Sequence, residues 1–112
     1  MLHAIPDAML EPVAARFRVL GDATRLAILR LLLTTGEMSV GEVVERLAMS
    51  QANVSKHLRV LHDARIVSRT ARGTAAYYAV ADPSIAELCE LVCERLRTLV
   101  ADDVLAYANT GS

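Results

Sequence analysis

Tryptophan is absent from the 112-residue sequence, and aromatic residues make up only 4% of it. A core built without large rings must use leucine, valine, isoleucine and alanine, and this composition favours helices packed on helices. No stretch approaches the roughly 18 consecutive apolar residues of a membrane span, and the N-terminus lacks a basic segment followed by an apolar one. We therefore expect a cytoplasmic protein without a membrane partner, folded as one domain over residues 1–112.

Cysteines and enzyme motifs are also scarce. The two cysteines, Cys89 and Cys93, are too few and too close in sequence for the disulfide framework of a small secreted domain. No nucleophile is paired with a base in a recognisable frame, and no glycine-rich phosphate loop or acidic cleft motif is present. The sequence therefore predicts a protein that is not an enzyme.

The chain as a whole has no excess of positive charge, because its net charge is −1. The distribution is uneven, however. Residues 51–73 contain five lysines or arginines and one aspartate, a local net charge of +4, so the remainder carries −5. A basic segment on an acidic body is the layout expected when one face approaches phosphates.

Helix-capping signals divide the first half of the chain. Apolar spacing predicts a helix from Ala8 to Leu20, and Asp22 is placed to cap a second one. The apolar stripe expected to enter the core in that second helix comprises Leu26, Leu29, Leu32 and Leu33. Ser39 and Glu42 form a Ser-x-x-Glu capping box, which predicts a short third helix.

A helix-turn-helix unit is predicted at about residues 39–64. Ser50 is the natural cap of a fourth helix from Gln51 to Ala64, with Val54, Leu58 and Leu61 on its buried side. Three residues separate this helix from the third, which is the length of the turn in a helix-turn-helix.

A β-hairpin and a long helix complete the predicted fold. The runs Ile66–Thr70 and Ala76–Val80 are rich in β-branched or aromatic residues and flank a glycine-containing turn, so residues 66–80 read as a hairpin. A last helix is expected over about residues 84–107, beginning near Pro83. A helix this long on so small a domain needs a second apolar surface, which the same helix of another subunit provides.

The order of these elements and three local sequences resemble the ArsR/SmtB family of winged-helix repressors. Residues 20–29 read LGDATRLAIL, which is similar to the opening of the family's second helix, and residues 50–61 read SQANVSKHLRVL, which is similar to its recognition helix. The segments around Ala64–Val67 and Arg72–Tyr78 resemble its entry into the wing. The resemblance implies a mainly α fold with a small β-hairpin, a winged helix-turn-helix whose N- and C-terminal helices form a dimer interface.

The chemistry of the fourth helix is consistent with DNA binding. When its apolar side turns inward, the side chains left outside are ones that hydrogen-bond base edges or phosphates. The candidate DNA-binding residues, including those of the hairpin, are Ser39, Ser50, Gln51, Asn53, Ser55, Lys56, His57, Arg59, Arg69, Arg72 and Thr74. For His57 a structural role beside the turn is a second interpretation. Arg25 is expected to form an ion pair with Asp22 or Glu11 rather than to touch DNA.

The resemblance also implies release of DNA by a metal ion or by thiol modification. The family's arsenite site on the third helix is missing, because Ser39 and Gly41 stand where cysteines are needed, and its zinc ligands on the last helix are largely replaced. Cys89 and Cys93 remain, at i and i+4 of one helix, a spacing suited to binding a soft ion through two thiolates. Arsenite, antimonite or another thiophilic ion is thus the candidate inducer. The alternative is that both cysteines are small buried hydrophobic residues.

The sequence therefore favours a repressor that binds a palindromic double-stranded DNA operator as a homodimer and needs no cofactor to do so. Two other interpretations stay open: a winged-helix module for protein association, and a constitutive DNA-binding regulator without a small inducer.

Overall fold

The computed structural model describes residues 5–111, with side chains described as far as residue 103. After a 3₁₀ turn at Asp7–Met9, the elements follow in the order α1 (Leu10–Leu20), α2 (Ala23–Thr35), β1 (Met38–Ser39), α3 (Val40–Leu47), α4 (Gln51–Asp63), β2 (Val67–Arg72), β3 (Ala75–Val80) and α5 (Ser84–Gly111). The predicted winged helix-turn-helix architecture, helical with a small antiparallel sheet, is confirmed.

Three helices begin at the caps that the sequence predicts. Asp22 accepts a hydrogen bond from the backbone N–H of Arg25 at 3.0 Å, and Ser50 accepts one from the N–H of Asn53 at 3.1 Å. The capping box of α3 is complete, because the Ser39 hydroxyl accepts from the Glu42 N–H and the Glu42 carboxylate accepts from the Ser39 N–H. These bonds satisfy amides that the first helical turn leaves without partners.

The hydrophobic core of the part up to Asp82 lies between the helices and the sheet. The predicted inner side of α4 is confirmed, since Val54, Leu58 and Leu61 are all fully buried. The other buried apolar residues of this part are Leu20, Ile28, Leu29, Leu31, Leu32, Met38, Val43, Ile66, Val67 and Tyr78. One side of α4 is therefore buried in the core, and the other side is exposed to solvent.

The predicted apolar stripe of α2 is partly wrong. Leu29 and Leu32 are buried, but Leu26 and Leu33 are 38% and 43% exposed, and Ile28 is fully buried instead. Apolar residues cover most of the circumference of α2, so their spacing does not single out one face. The buried side is set by the contacts of α2 with α1, α3, α4 and β3, and of these α4 and β3 are distant in sequence.

The predicted hairpin forms, with longer strands than expected. Antiparallel pairing runs from Val67 opposite Val80 to Arg72 opposite Ala75, so only two residues remain in the turn. Gly73 supplies the left-handed conformation there, with φ of 61°. A third strand that the sequence did not predict, β1, pairs with β3 and gives the order β1-β3-β2.

From Pro83 onward the chain forms a separate compact unit, which contains α5. The helix reaches Gly111, a little beyond the predicted end. Its large apolar residues with high exposure are Leu91, Val92, Leu96, Leu99 and Val100. Among the described helices, none is both long enough and apolar enough to span a bilayer.

Candidate nucleic-acid interface

The helix-turn-helix is formed by α3, α4 and the three residues between them, as the sequence predicts. Ala48 ends α3 in the left-handed conformation, with φ of 53°. This conformation turns the chain away from the axis of α3, as glycine more commonly does at this position. Ser50, in extended conformation, then starts α4. The reversal lets α4 pack on α3 with one side still open to solvent.

The outer side of α4 carries most of the predicted DNA-binding residues. Gln51, Asn53, Lys56 and Arg59 are exposed, and Ser55 is half-buried. Ser50 is exposed at the start of the helix, where its oxygen already caps the Asn53 amide. Amide, hydroxyl and cationic groups thus share the surface opposite the buried leucines, which is the arrangement a helix needs to lie in a major groove.

His57 does not lie on that outer side. The residue is only 7% exposed, and its Nδ1 atom lies 3.2 Å from Nη1 of Arg25. His57 is therefore not among the side chains left outside when α4 packs, and the structural interpretation describes its packing; a DNA contact of His57 stays a prediction. The reason is its position in α4, close to Val54, Leu58 and Leu61 on the helical surface.

Arg25 connects several parts of the chain. Its Nη1 atom lies 3.9 Å from an Asp22 carboxylate oxygen, which confirms the expected ion pair. The hydrogen bond from the Arg25 backbone N–H, with the nearby guanidinium, holds the pKa of Asp22 below its ordinary value. Arg25 and His57 are 32 positions apart, so local sequence patterns cannot predict their contact.

The wing presents Arg69 and Thr74 to solvent, as predicted. Arg72 is engaged within the protein: its Nη1 atom is 2.6 Å from the Glu37 carboxylate, and its guanidinium lies 4.9 Å from the centroid of the Tyr77 ring. This contact braces the hairpin against the segment before β1. Arg72 therefore supports the wing, although its side chain is about half exposed.

An open groove of about 510 Å³ separates α4 from the wing. It brings together three predicted DNA-binding residues, Ser55, Arg59 and Arg69. It also includes side chains that sequence reasoning did not select; the remaining lining residues are Val40, His62, Asp63, Ala76 and Tyr78. His62 follows Arg59 by three positions on α4, and this helical spacing was the available signal for it.

Comparison with known proteins identifies the family. Residues 22–69 match the model of the bacterial regulatory protein, arsR family. The probable mercury resistance operon repressor of Streptomyces lividans is 38% identical over 91% of this chain and 78% of its own length. The chain belongs to the ArsR family of transcriptional regulators. These relatives are regulators of transcription and not enzymes, as the sequence predicted.

Two solved structures share the fold over nearly the whole chain. The antimony-specific transcriptional repressor AntR has a TM-score of 0.77 and 27% identity, covering 89% of this chain and 90% of its own. A homodimeric winged helix-turn-helix domain from Mycobacterium bovis has a TM-score of 0.69 and 30% identity, covering 92% of both chains. The helix-turn-helix and wing described above are therefore those of an ArsR-family repressor.

The two cysteines of this ArsR-family chain lie on α5 and are both free thiols. Cys93 is exposed and Cys89 is half-buried, so Cys93 does not fit the alternative of a small buried hydrophobic residue within one chain. Within residues 5–111, no three histidine, cysteine, aspartate or glutamate side chains are grouped so that they could hold a metal ion. Cys89 and Cys93 are thus two thiols that lie on the same helix.

Proposed function

We propose that this ArsR-family repressor binds a palindromic operator as a homodimer, with the outer side of α4 in the major groove and the wing beside it. The observation that carries the proposal is the division of α4 into a fully buried apolar side and an exposed side bearing Gln51, Asn53, Lys56 and Arg59. Glutamine and asparagine present the donor and acceptor pair that reads adenine, while lysine and arginine contact guanine or phosphate.

The electrostatics of this surface support the proposal. Lys56, Arg59 and Arg69 have no carboxylate partner within 4 Å in the described part of the chain, whereas Arg72 is held by Glu37. Unpaired cations on one surface keep their charge available for phosphates. The amides at the start of α4 add positive electrostatic potential to the same surface.

The dimer is supported by exposed apolar residues that a single chain leaves uncovered. Val92, Leu96, Leu99 and Val100 recur at spacings of three and four along α5, so they share one side of that helix. Leu10 and Phe17 of α1 are likewise exposed. We expect a second copy to cover these residues, which gives two recognition helices about 34 Å apart, one turn of B-DNA.

Two substitutions on the outer side of α4 test the DNA interface. Lys56→Gln is expected to weaken binding to all sequences about tenfold and to reduce the slope of log affinity against log salt by about 1, because one phosphate contact is lost. Gln51→Ala is expected to cost about 1–3 kcal/mol on the operator but little on unrelated DNA, because a base contact is lost. Fluorescence anisotropy with labelled duplexes over a salt series measures both.

Arg30→Gln is the matched control, because Arg30 is an exposed arginine on α2, outside the proposed interface. It removes the same charge and should leave affinity and salt slope nearly unchanged. Equal effects of Lys56→Gln and Arg30→Gln would contradict the assigned surface. Binding that depends on neither sequence nor salt would instead favour a module for protein association.

For the inducer we propose a thiophilic ion bound by Cys89 and Cys93. One α-helical turn separates the two residues, so their Cβ atoms lie about 5–6 Å apart, close enough to bind one soft ion. Similar proteins include a mercury resistance operon repressor, an arsenical resistance operon repressor and an antimony-specific repressor. Because the thiols lie beside the apolar side of α5, a bound ion would alter the dimer and thereby the spacing of the recognition helices.

Replacing both cysteines tests this proposal. The double variant Cys89→Ser, Cys93→Ser is expected to bind the operator like the wild type but no longer to be released by arsenite, antimonite or mercury(II) at concentrations that release the wild type. Titration of each ion into the preformed complex, followed by anisotropy, measures the release. Release of the double variant at wild-type concentrations would exclude the thiol pair, and a wild type that no ion releases would indicate a constitutive regulator.

A further inference from the structure

Arg16 of α1 contacts the end of the recognition helix. Its Nη1 atom donates a hydrogen bond of 2.7 Å to the carbonyl oxygen of Ala64, the residue that follows the last turn of α4. The last carbonyls of a helix have no partner within the helix. Backbone N–H groups of the next two residues satisfy those of Leu61 and His62. The carbonyl of Ala64 is instead bound by a cation that comes from a distant helix, and a cation is favourable at a helix C-terminus.

The same guanidinium holds Asp82. Nη2 of Arg16 donates to the Asp82 carboxylate, in an ion pair whose side chains are 36% and 24% exposed. Partial burial of both groups reduces the screening of their attraction by solvent. The backbone N–H of Asp82 donates to the carbonyl oxygen of Ile66 at 3.3 Å, and that of Ala81 donates to the same oxygen at 2.9 Å. Asp82 is thus held beside the end of α4 by both its side chain and its backbone.

Asp82 is also the last residue before the unit that contains α5. The unit begins at Pro83, and α5 itself begins at Ser84. Only one residue therefore separates Asp82 from α5, and the proline ring fixes one of its backbone dihedrals. The two contacts of Arg16 join residues 48 and 66 positions apart in sequence. One side chain thus connects α1, the end of α4 and the residue that leads into α5.

We propose that Arg16 is a positioning residue that couples α5 to the recognition helix, so that the α5 helices of the dimer set the spacing at which the two α4 helices meet DNA. The proposal rests on the proposed function, since it assumes a dimer that binds two half-sites. Nη1 and Nη2 belong to one rigid planar group. A displacement of Asp82 by α5 therefore moves the donor that holds Ala64 at the end of α4.

Duplexes that differ in half-site spacing test this coupling. The probe is the palindromic duplex that the wild type selects from a random library, together with versions lengthened or shortened by one base pair at the centre. One base pair displaces a half-site by about 3.4 Å and rotates it by about 35°, so the wild type should discriminate strongly against both. Arg16→Gln should bind the selected duplex roughly fivefold to tenfold more weakly, because binding must then order a looser connection. It should also lose most of the discrimination between spacings.

A duplex with one half-site intact and the other scrambled separates this role from a loss of structure in α4. Arg16→Gln should bind it like the wild type, because the outer side of α4 is unchanged. Asp82→Asn is a second variant that preserves side-chain volume, and it should also reduce the discrimination between spacings. The double variant should add little to either single one, because both remove the same ion pair.

Arg18→Gln is the matched control. Arg18 is an exposed arginine of the same helix, and its guanidinium lies 3.6 Å from the Glu11 carboxylate, also on α1. This variant loses the same charge and one ion pair, but no contact with α4 or Asp82. It should keep the affinity and the spacing discrimination of the wild type. Fluorescence anisotropy with the labelled duplexes measures all variants, and circular dichroism confirms that each is folded.

Wild-type discrimination between spacings by folded Arg16→Gln or Asp82→Asn protein would overturn the inference. An equal loss of affinity on the selected duplex and on the half-site duplex would also overturn it, because that result indicates a role in the structure of α4 alone. In both cases the wild type would still bind its palindrome, and the proposed function would stand. If the wild type selects no palindrome, the proposed function fails and this inference fails with it.

Discussion

Leu96→Glu is expected to convert the proposed dimer into monomers and to lower operator affinity at least about a hundredfold, because linked binding to two half-sites typically contributes a factor of 10² to 10⁴. Leu96 is 55% exposed in the single chain and lies on the side of α5 that carries Val92, Leu99 and Val100. A carboxylate there would be buried without a partner in the dimer, and that cost opposes association. Analytical ultracentrifugation and anisotropy measure the two effects.

Leu91→Glu is the control for this substitution. Leu91 is 70% exposed and lies about 140° around the helix from Leu96, since each residue advances the helix by about 100°. The same chemical change on the other side of α5 should leave the dimer and operator binding nearly unchanged. Equal sedimentation of the two variants as dimers would show that the proposed side of α5 does not form the interface.

Leu58→Ala is expected to lower the free energy of unfolding by about 2–5 kcal/mol, the range for a leucine truncated in a packed core. Leu58 is fully buried on the inner side of α4. Small domains have only about 5–15 kcal/mol of stability, so a large part of it would be lost. Denaturant unfolding followed by circular dichroism, at one fixed chain concentration because the protein is proposed to dimerise, measures the change.

Leu33→Ala provides the comparison within the same protein. The leucine spacing in α2 predicts Leu33 in the core, but its exposure of 43% predicts a cost of only about 1 kcal/mol. A loss as large as that of Leu58→Ala would support the sequence pattern over the structure. A loss much smaller than that of Leu58→Ala would confirm that the inner side of α4 is central to the core.

The features that the sequence predicted well depend on interactions between residues close in the chain. The caps at Asp22, Ser39 and Ser50 join residues three positions apart. The turn before α4 contains only three residues. The hairpin follows from β-branched and aromatic runs around Gly73. Local chemistry alone was therefore sufficient to locate the helix-turn-helix and the wing.

The features that it predicted poorly depend on contacts between distant segments. β1 is two residues long and exists because Met38 and Ser39 pair with Tyr78 and Tyr77, so it leaves no pattern of its own. The contact of His57 with Arg25 joins residues 32 positions apart. The burial of His57 could not be predicted for the same reason, because it depends on packing between α2 and α4.

Ser39 belongs at once to β1 and to the cap of α3. The residue that pairs with Tyr77 of β3 also caps the first turn of α3. A shift of β3 along β1 would therefore displace the start of α3, and a tilt of α3 would distort the sheet. We therefore expect the wing and the helix-turn-helix to move as one body when the protein binds DNA.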